Sequence, residues 1–284
     1  MVATAASPPA LPKPRPLLKW AGGKTKLLPE LEKRLPREVG AYFEPFLGGG
    51  ALFFHLHNAG RLHGSPVTLN DANGDLIRCY RAVRDATDAV LHVLRSLRNT
   101  EEYFQRIRCE WDPGSISDAE AAARTIFLNK TCFNGLYRVN RAGIFNVPYG
   151  DNARANFCDE PNLRACAAAF ARTDLFCFDF EEIGERARRG DLVYFDCPYY
   201  PTSKTSSFTA YTAGGFTDAD HVRLRDLAVR LKERGVHVIL SNADVPRVRE
   251  LYSERYFKVE RVEAARSVNS KGTGRGKVGE VIVT

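Results

Sequence analysis

The chain has no C-x-x-C pair and no compact cluster of cysteine and histidine. Its seven cysteines, Cys79, Cys109, Cys132, Cys158, Cys166, Cys177 and Cys197, lie scattered through the sequence. This excludes a zinc site of familiar spacing and a disulfide framework, and it suits reduced thiols in a cytosolic protein. No run reaches the roughly 18 apolar residues of a membrane span. The first sixteen residues are rich in Ala, Pro and Ser and lack the apolar core of a signal peptide, so 1–16 reads as a flexible tail. Neither phosphate-binding glycine motif is complete. Gly48-Gly49-Gly50 is not spaced as G-x-G-x-x-G, and Gly23-Lys24-Thr25 lacks the first glycine of a P-loop, with Leu18 in its place.

Hydrophobic residues make up 44% and charged residues 26% of the 284 positions, which are ordinary globular proportions. The formal net charge of +7 points to a polyanionic partner, nucleic acid first, although a solvated basic surface is the plainer reading. Apolar patterning predicts a helix over 26–35, a strand over 41–46, a helix over 51–59 and a strand over 66–69. An arginine-rich helical block follows over 75–108 and 119–129, its arginines read mostly as a solvated face. Strands return at 174–180, 191–195 and 236–241, with an amphipathic helix over 221–233, and closing strands lie at 257–264 and 278–283. Such alternation implies a mostly parallel sheet covered on both faces, interrupted by an inserted module over about 76–170.

Three segments carry chemistry. The apolar run ending at Phe195 delivers Asp196-Cys197-Pro198-Tyr199-Tyr200. A carboxylate, a turn and aromatic rings at the carboxyl end of a strand suit a planar, amine-bearing substrate such as a nucleobase. A strand end with a turn proline and rim tyrosines is the alternative. Glu44-Pro45-Phe46-Leu47-Gly48-Gly49-Gly50 joins a strand to a helix, where glycines let the backbone approach a ligand. Asp71, about twenty residues on, ends the next strand, where a carboxylate can accept bonds from ribose hydroxyls. The third is Lys19-Trp20-Ala21-Gly22-Gly23-Lys24.

Together with Leu128-Asn129-Lys130-Thr131-Cys132-Phe133-Asn134-Gly135-Leu136-Tyr137-Arg138-Val139-Asn140 and Phe145-Asn146-Val147-Pro148-Tyr149-Gly150, these segments closely resemble the Dam family of DNA adenine-N6 methyltransferases. The resemblance covers nearly all of the chain from Leu17, and the motif order is that of the alpha group of amino-methyltransferases. It implies an α/β fold: a Rossmann-like methyltransferase sheet covered by helices, with an inserted, mostly helical DNA-recognition domain. Residues 17–75 and 171–284 would form the domain that binds S-adenosyl-L-methionine, and 76–170 the recognition domain. Trp20, Lys24, Phe46, Gly48, Gly50, Asp71, Asp179, Phe180 and Asp196 would contact the cofactor. Asp196, Cys197, Pro198 and Tyr199 match the catalytic D-P-P-Y motif, with cysteine where the family has its first proline. No metal is implied.

The chemistry follows from the target. An exocyclic amine is a poor nucleophile until its lone pair is drawn back onto nitrogen. The Asp196 carboxylate and the Cys197 carbonyl would accept its two N–H bonds, and Tyr199 would stack on a base flipped out of double-stranded DNA. Asn134, Leu136, Arg138 and Pro148 are expected at the bases, and Lys130, Arg141, Lys271 and Arg275 at phosphates. Asn134-Gly135 carries a hairpin signal, with a second turn at 140–143. The segment 203–216 is expected to fold over the target base. The expected target is GATC, and the expected protein is cytoplasmic, associated with the nucleoid, and a monomer or weak dimer. N4-cytosine methylation, a catalytically impaired DNA-binding protein and, more distantly, a P-loop ATPase are the other readings.

Overall fold

The computed structural model describes residues 10–20, 22–140, 143–201, 215–252, 255–263 and 279–284. Arg141, Lys271 and Arg275, and most of the segment 203–216, lie outside the described residues. In chain order the strands are β1 (Tyr42–Glu44), β2 (Val67–Asn70), β3 (Thr173–Phe176), β4 (Leu192–Phe195), β5 (His237–Ala243), β6 (Val259–Glu263) and β7 (Gly279–Val283). They form one sheet in the order β3-β2-β1-β4-β5-β7-β6. All pairings from β3 through β5 are parallel, while β7 runs antiparallel between β5 and β6.

Side chains of the central strands alternate between two cores, as the two-residue period of a strand requires. Tyr42, Leu192 and Tyr194 enter one apolar cluster, and Phe43, Val193 and Phe195 enter the other. The continuous apolar run of β4 is thus the signature of a strand covered on both faces. On the second face α9 (Asp218–Glu233) contributes Leu224, Leu227 and Leu231. On the first face α2 (Ala51–Asn58) packs with α3 (Gly74–Asp85) and α7 (Glu160–Phe170).

The inserted block adds α4 (Thr87–Ser96), α5 (Glu101–Glu110) and α6 (Asp118–Thr131) between α3 and α7. A capping box of Ser117 and Glu120 starts α6, which is then buried at nearly every position and forms the block's axis. Leu94, Phe104 and Phe127 of the block share one cluster with Leu52 and Leu69 beside the sheet. The block is therefore built onto the sheet's own core. Of the arginines expected on a solvated face, Arg81, Arg95 and Arg98 are exposed and Arg78 and Arg84 half-buried; Arg81 and Arg84 also donate to the β3 carbonyls of Leu175 and Thr173 at 3.0 Å, and Arg78 to that of Ile116 at 2.8 Å. Part of the stretch read as a tail is also tied down. The Pro14 carbonyl accepts Asn58 Nδ2 at 2.8 Å, and Arg15 exchanges backbone bonds of 3.0 and 3.2 Å with Asn162.

Phe170 at the end of α7 is fully buried against Phe53, Phe54 and Tyr80, with ring centroids 5.1–5.5 Å away. Phe170→Ala is expected to cost about 3–5 kcal/mol of unfolding free energy in a denaturant titration. A loss below about 1 kcal/mol would show that this aromatic cluster does not anchor the block.

Candidate active site

The chain runs β1, β2, β3 toward one side of the sheet and then returns to place β4 on the other side of β1. The carboxyl ends of β1 and β4 border the crevice that such a reversal opens, where α/β sheets hold ligands. Asp196 follows β4 directly. Its Oδ1 lies 2.6 Å from Lys24 Nζ and accepts Ser241 Oγ at 3.1 Å. Ser241 is fully buried on β5 and in turn takes a bond from the Tyr194 hydroxyl at 3.1 Å. Burial raises the Asp196 pKa, while the charge and hydrogen bond of Lys24 and the bond from Ser241 oppose the rise. Both described bonds fall on Oδ1, so Oδ2 keeps its acceptor capacity toward a substrate.

Lys24 was expected among the cofactor contacts of the N-terminal segment, and the structure gives it a partner in the 196–200 turn. Its side chain is 7% exposed, it donates to the Gly22 carbonyl, and Nζ lies 4.4 Å from the centroid of the Tyr199 ring. Tyr199 is anchored by its hydroxyl, which donates to Glu280 Oε2 on β7 at 3.1 Å. Tyr200 turns away: its hydroxyl donates to Asp218 Oδ1 at 3.1 Å, beside a tilted contact with His221. Cys197 is 2% exposed, and burial pushes its thiol up, which leaves it an inert neutral group.

Around β1 and β2 the loops close on one carboxylate. Asp71 accepts the backbone N–H of Gly48 through Oδ2 and that of Asn73 through Oδ1, both at 2.9 Å. Each oxygen keeps a further lone pair, which fits a ribose diol. Gly48 has φ +47°, and a Cβ there would stand 2.7 Å from Trp20 Cδ1, so only glycine lets the loop lie against that indole. Gly50 is the N-cap of α2. Phe46 stacks on Phe180 at 5.3 Å, and Phe180 is 6% exposed. Asp179 caps α8 (Phe180–Gly184) and pairs with Arg223 at 2.8 Å, so its carboxylate is already engaged. These loops and the Asp196 turn thus border one crevice.

Several buried polar residues escaped the sequence reading, Ser241, Glu44, Asn70 and Asn129 among them. Glu44 is 2% exposed at the end of β1, and burial pushes its carboxyl up to about 8 against the bond from the Tyr42 hydroxyl. Asn70 donates to the carbonyls of Pro45 and Phe178 and accepts the Phe178 N–H, tying the cofactor loops together. Asn129 exchanges bonds of 2.9 and 2.8 Å with the Lys19 backbone and so fixes the segment that carries Trp20.

The expected reading surface lies beside this segment. Asn134, Arg138 and Pro148 are exposed and Leu136 is half-buried, above buried Tyr137, Phe145 and Val147. Tyr137 stacks on Trp20 at 4.9 Å, so the surface rests on the cofactor segment. Arg138 is held by Asn146, with bonds of 2.8 and 3.2 Å. Asn134 and Gly135 both have positive φ, as their pairing signalled, but they form a single 3-10 turn. The hairpin tip is instead the second turn, closed by Gly143 N–H to the Asn140 carbonyl and by the Val139–Phe145 bridge. Lys130 stands apart from these residues, lining a cavity of about 180 Å³ with Arg15 and Asp159. Among the described residues no His/Cys/Asp/Glu group could hold a metal, and no helix is long and apolar enough to cross a membrane.

The sheet order, with loops gathered at the carboxyl ends of β1, β2 and β4, defines an α/β enzyme fold. The family model described as D12 class N6 adenine-specific DNA methyltransferase matches residues 20–268. The chain belongs to that family. It is 40% identical over 277 residues to the type II methyltransferase M1.LlaDCHI of Lactococcus lactis subsp. cremoris, covering 95% of each chain. It is 38% identical over 278 residues to the type II methyltransferase M.MjaIII of Methanocaldococcus jannaschii, covering 92% of this chain and 95% of that one. Identity to the DNA adenine methylase of Escherichia coli K12 is 34% over 274 residues, covering 95% of each chain. The family makes DNA the substrate and implies S-adenosylmethionine as methyl donor, and it gives no support to the cytosine reading.

Burial pushes the Asp71 carboxyl up to about 6, against the bonds from Gly48 and Asn73. A ribose diol on Asp71 would bind the ionised form, which is lost as pH falls through that value. The affinity for S-adenosylhomocysteine is therefore expected to drop below about pH 6, by at most about tenfold per unit, in calorimetric titrations from pH 5 to 7.5. Asp71→Asn is expected to bind weakly with a flatter profile, and an unchanged slope in that variant would contradict the assignment.

Proposed function

We propose that the chain methylates the N6 amine of an adenine flipped out of duplex DNA, within GATC. One observation carries the reading: the Asp196 carboxylate stands at the carboxyl end of β4, where the strand order reverses, paired with a Lys24 ammonium that lies over the Tyr199 ring. S-adenosylmethionine, when bound, supplies a methyl group on a sulfonium. Asp71 holds its ribose, and Trp20, Gly48 and Gly50 shape its berth. Phe46 and Phe180 form an aromatic wall, with Asp179 at the rim.

Asp196 Oδ2 accepts one N–H of the target amine and the Cys197 carbonyl accepts the other. The lone pair is then aimed out of the ring plane, toward the methyl group. Lys24 and Ser241 hold Asp196 ionised and oriented for this, so the site is electrostatically prepared before the base arrives. The target base leaves the duplex because its amine is out of reach within the stack. Pro198 keeps the turn narrow between Cys197 and Tyr199.

Asn134, Leu136, Arg138 and Pro148 read the bases, and Lys130 contributes a phosphate contact. Arg141, Lys271 and Arg275 are proposed as further phosphate contacts on the strength of their sequence positions. Residues 76–170 carry the reading surface, and the remainder from 17 carries the chemistry. Protective methylation beside a restriction endonuclease is the role that the type II names of two relatives suggest.

Methylation of a random-sequence duplex with labelled cofactor, followed by mapping of the modified base, tests the reading. The expected product is N6-methyladenine within GATC; label spread over all adenines would remove the site preference. Replacing the target adenine by 2-aminopurine is expected to give a fluorescence rise on binding, and unchanged fluorescence would argue against flipping. Arg138→Ala is expected to relax discrimination at one base pair by about 1–3 kcal/mol, read as rates on single-substitution duplexes. An unchanged preference would remove Arg138 from the readers.

A further inference from the structure

The methyl-transfer reading requires the Cys197 carbonyl to stand at a fixed place, yet cysteine lacks the locked φ of proline. A buried side chain of the neighbouring strand grips the turn on both sides of that carbonyl. Asn242 of β5 is fully buried. Its Oδ1 accepts the N–H of Tyr200 at 2.9 Å and that of Ala243 at 2.8 Å. Those two donors orient the amide, so Nδ2 is the end that faces Cys197, and it donates to Sγ at 3.6 Å. Tyr200 is itself pinned, since Asp218 accepts its hydroxyl and is held by two Arg247 bonds of 2.9 Å.

We propose that Asn242 is a positioning residue that splints the 196–200 turn, supplying through Cys197 Sγ and the Tyr200 N–H the rigidity that a proline ring would supply through φ. The proposal deepens the adenine-methylation reading and rests on it. Cysteine offers a side-chain acceptor that proline lacks, and proline offers a fixed φ that cysteine lacks. The two devices are alternatives for one constraint, so each reduces the need for the other. An asparagine required only for the folding of β5 would show no such exchange.

The test uses the full-length protein, S-adenosylmethionine and a duplex carrying the mapped target, with single-turnover methyl transfer as the readout. Asn242→Ala is expected to lower the rate by about tenfold or more while cofactor affinity changes less than about threefold, as for a displaced reacting group. In a Cys197→Pro background the same substitution is expected to cost at least about threefold less. Equal costs in the two backgrounds would overturn the splint. Cys197→Ala, which removes Sγ without fixing φ, is expected to slow transfer as well; an undiminished rate would also overturn it, and this variant decides the matter if Asn242→Ala fails to fold. A parent protein that methylates no adenine would sink the functional reading instead, so the two failures are distinguishable.

Discussion

The half-buried carboxylate at the end of β4 is the constraint on which the site depends. Asp196, 21% exposed, is stabilised as an anion by a partner, because partial burial disfavours an unpaired charge. Lys24 supplies it at 2.6 Å from a side chain 7% exposed, and Ser241 adds a neutral donor. Lys24 arrives on a short segment that has little regular structure of its own. That segment is held by Asn129 at the end of α6 and by the stack of Trp20 on Tyr137. The pairing of one acid with one base therefore draws the sheet, the N-terminal segment and the inserted block to a single point.

The same convergence relates reading to chemistry. The block shares its core with the sheet, so the exposed residues from Asn134 to Pro148 stand at a set position relative to the crevice. Gly135 shows how close the fit is: a Cβ there would meet Lys19 Cδ at 2.3 Å, and its φ of +64° favours glycine. Several arginines that give the chain its positive charge are spent on structure. Arg81 and Arg84 bind β3 carbonyls, and Arg223, Arg230 and Arg247 are each in ion pairs.

Asp71, Asp196 and the glycine loop were legible in the sequence because each ends a strand and breaks an apolar pattern. The parallel sheet was legible because β4 is apolar at consecutive positions, which a one-faced strand would not be. Asn70, Ser241 and Asn242 were not, because what these strand residues bind is set by partners on other elements, and Glu44 was not, because only the fold buries it. Asn134-Gly135 illustrates a different limit. The pair was read as a hairpin signal and does take two positive φ angles, but the helix end before it, whose Asn129 donates to the Gly135 carbonyl, and the Lys19 side chain beside it go with a 3-10 turn instead. The partner of Lys24 lies 172 positions away, at Asp196, so local spacing could not reveal it.

The central claim is that the negative charge of Asp196, and not only its shape, draws the target amine toward transfer. Asp196→Asn keeps the size and one carbonyl acceptor while removing the charge. Single-turnover methyl transfer on the mapped duplex at neutral pH, with DNA affinity measured alongside, tests this most directly. The predicted result is a rate lower by about 10²-fold or more with DNA affinity nearly unchanged. A rate within about threefold of the parent would contradict the account.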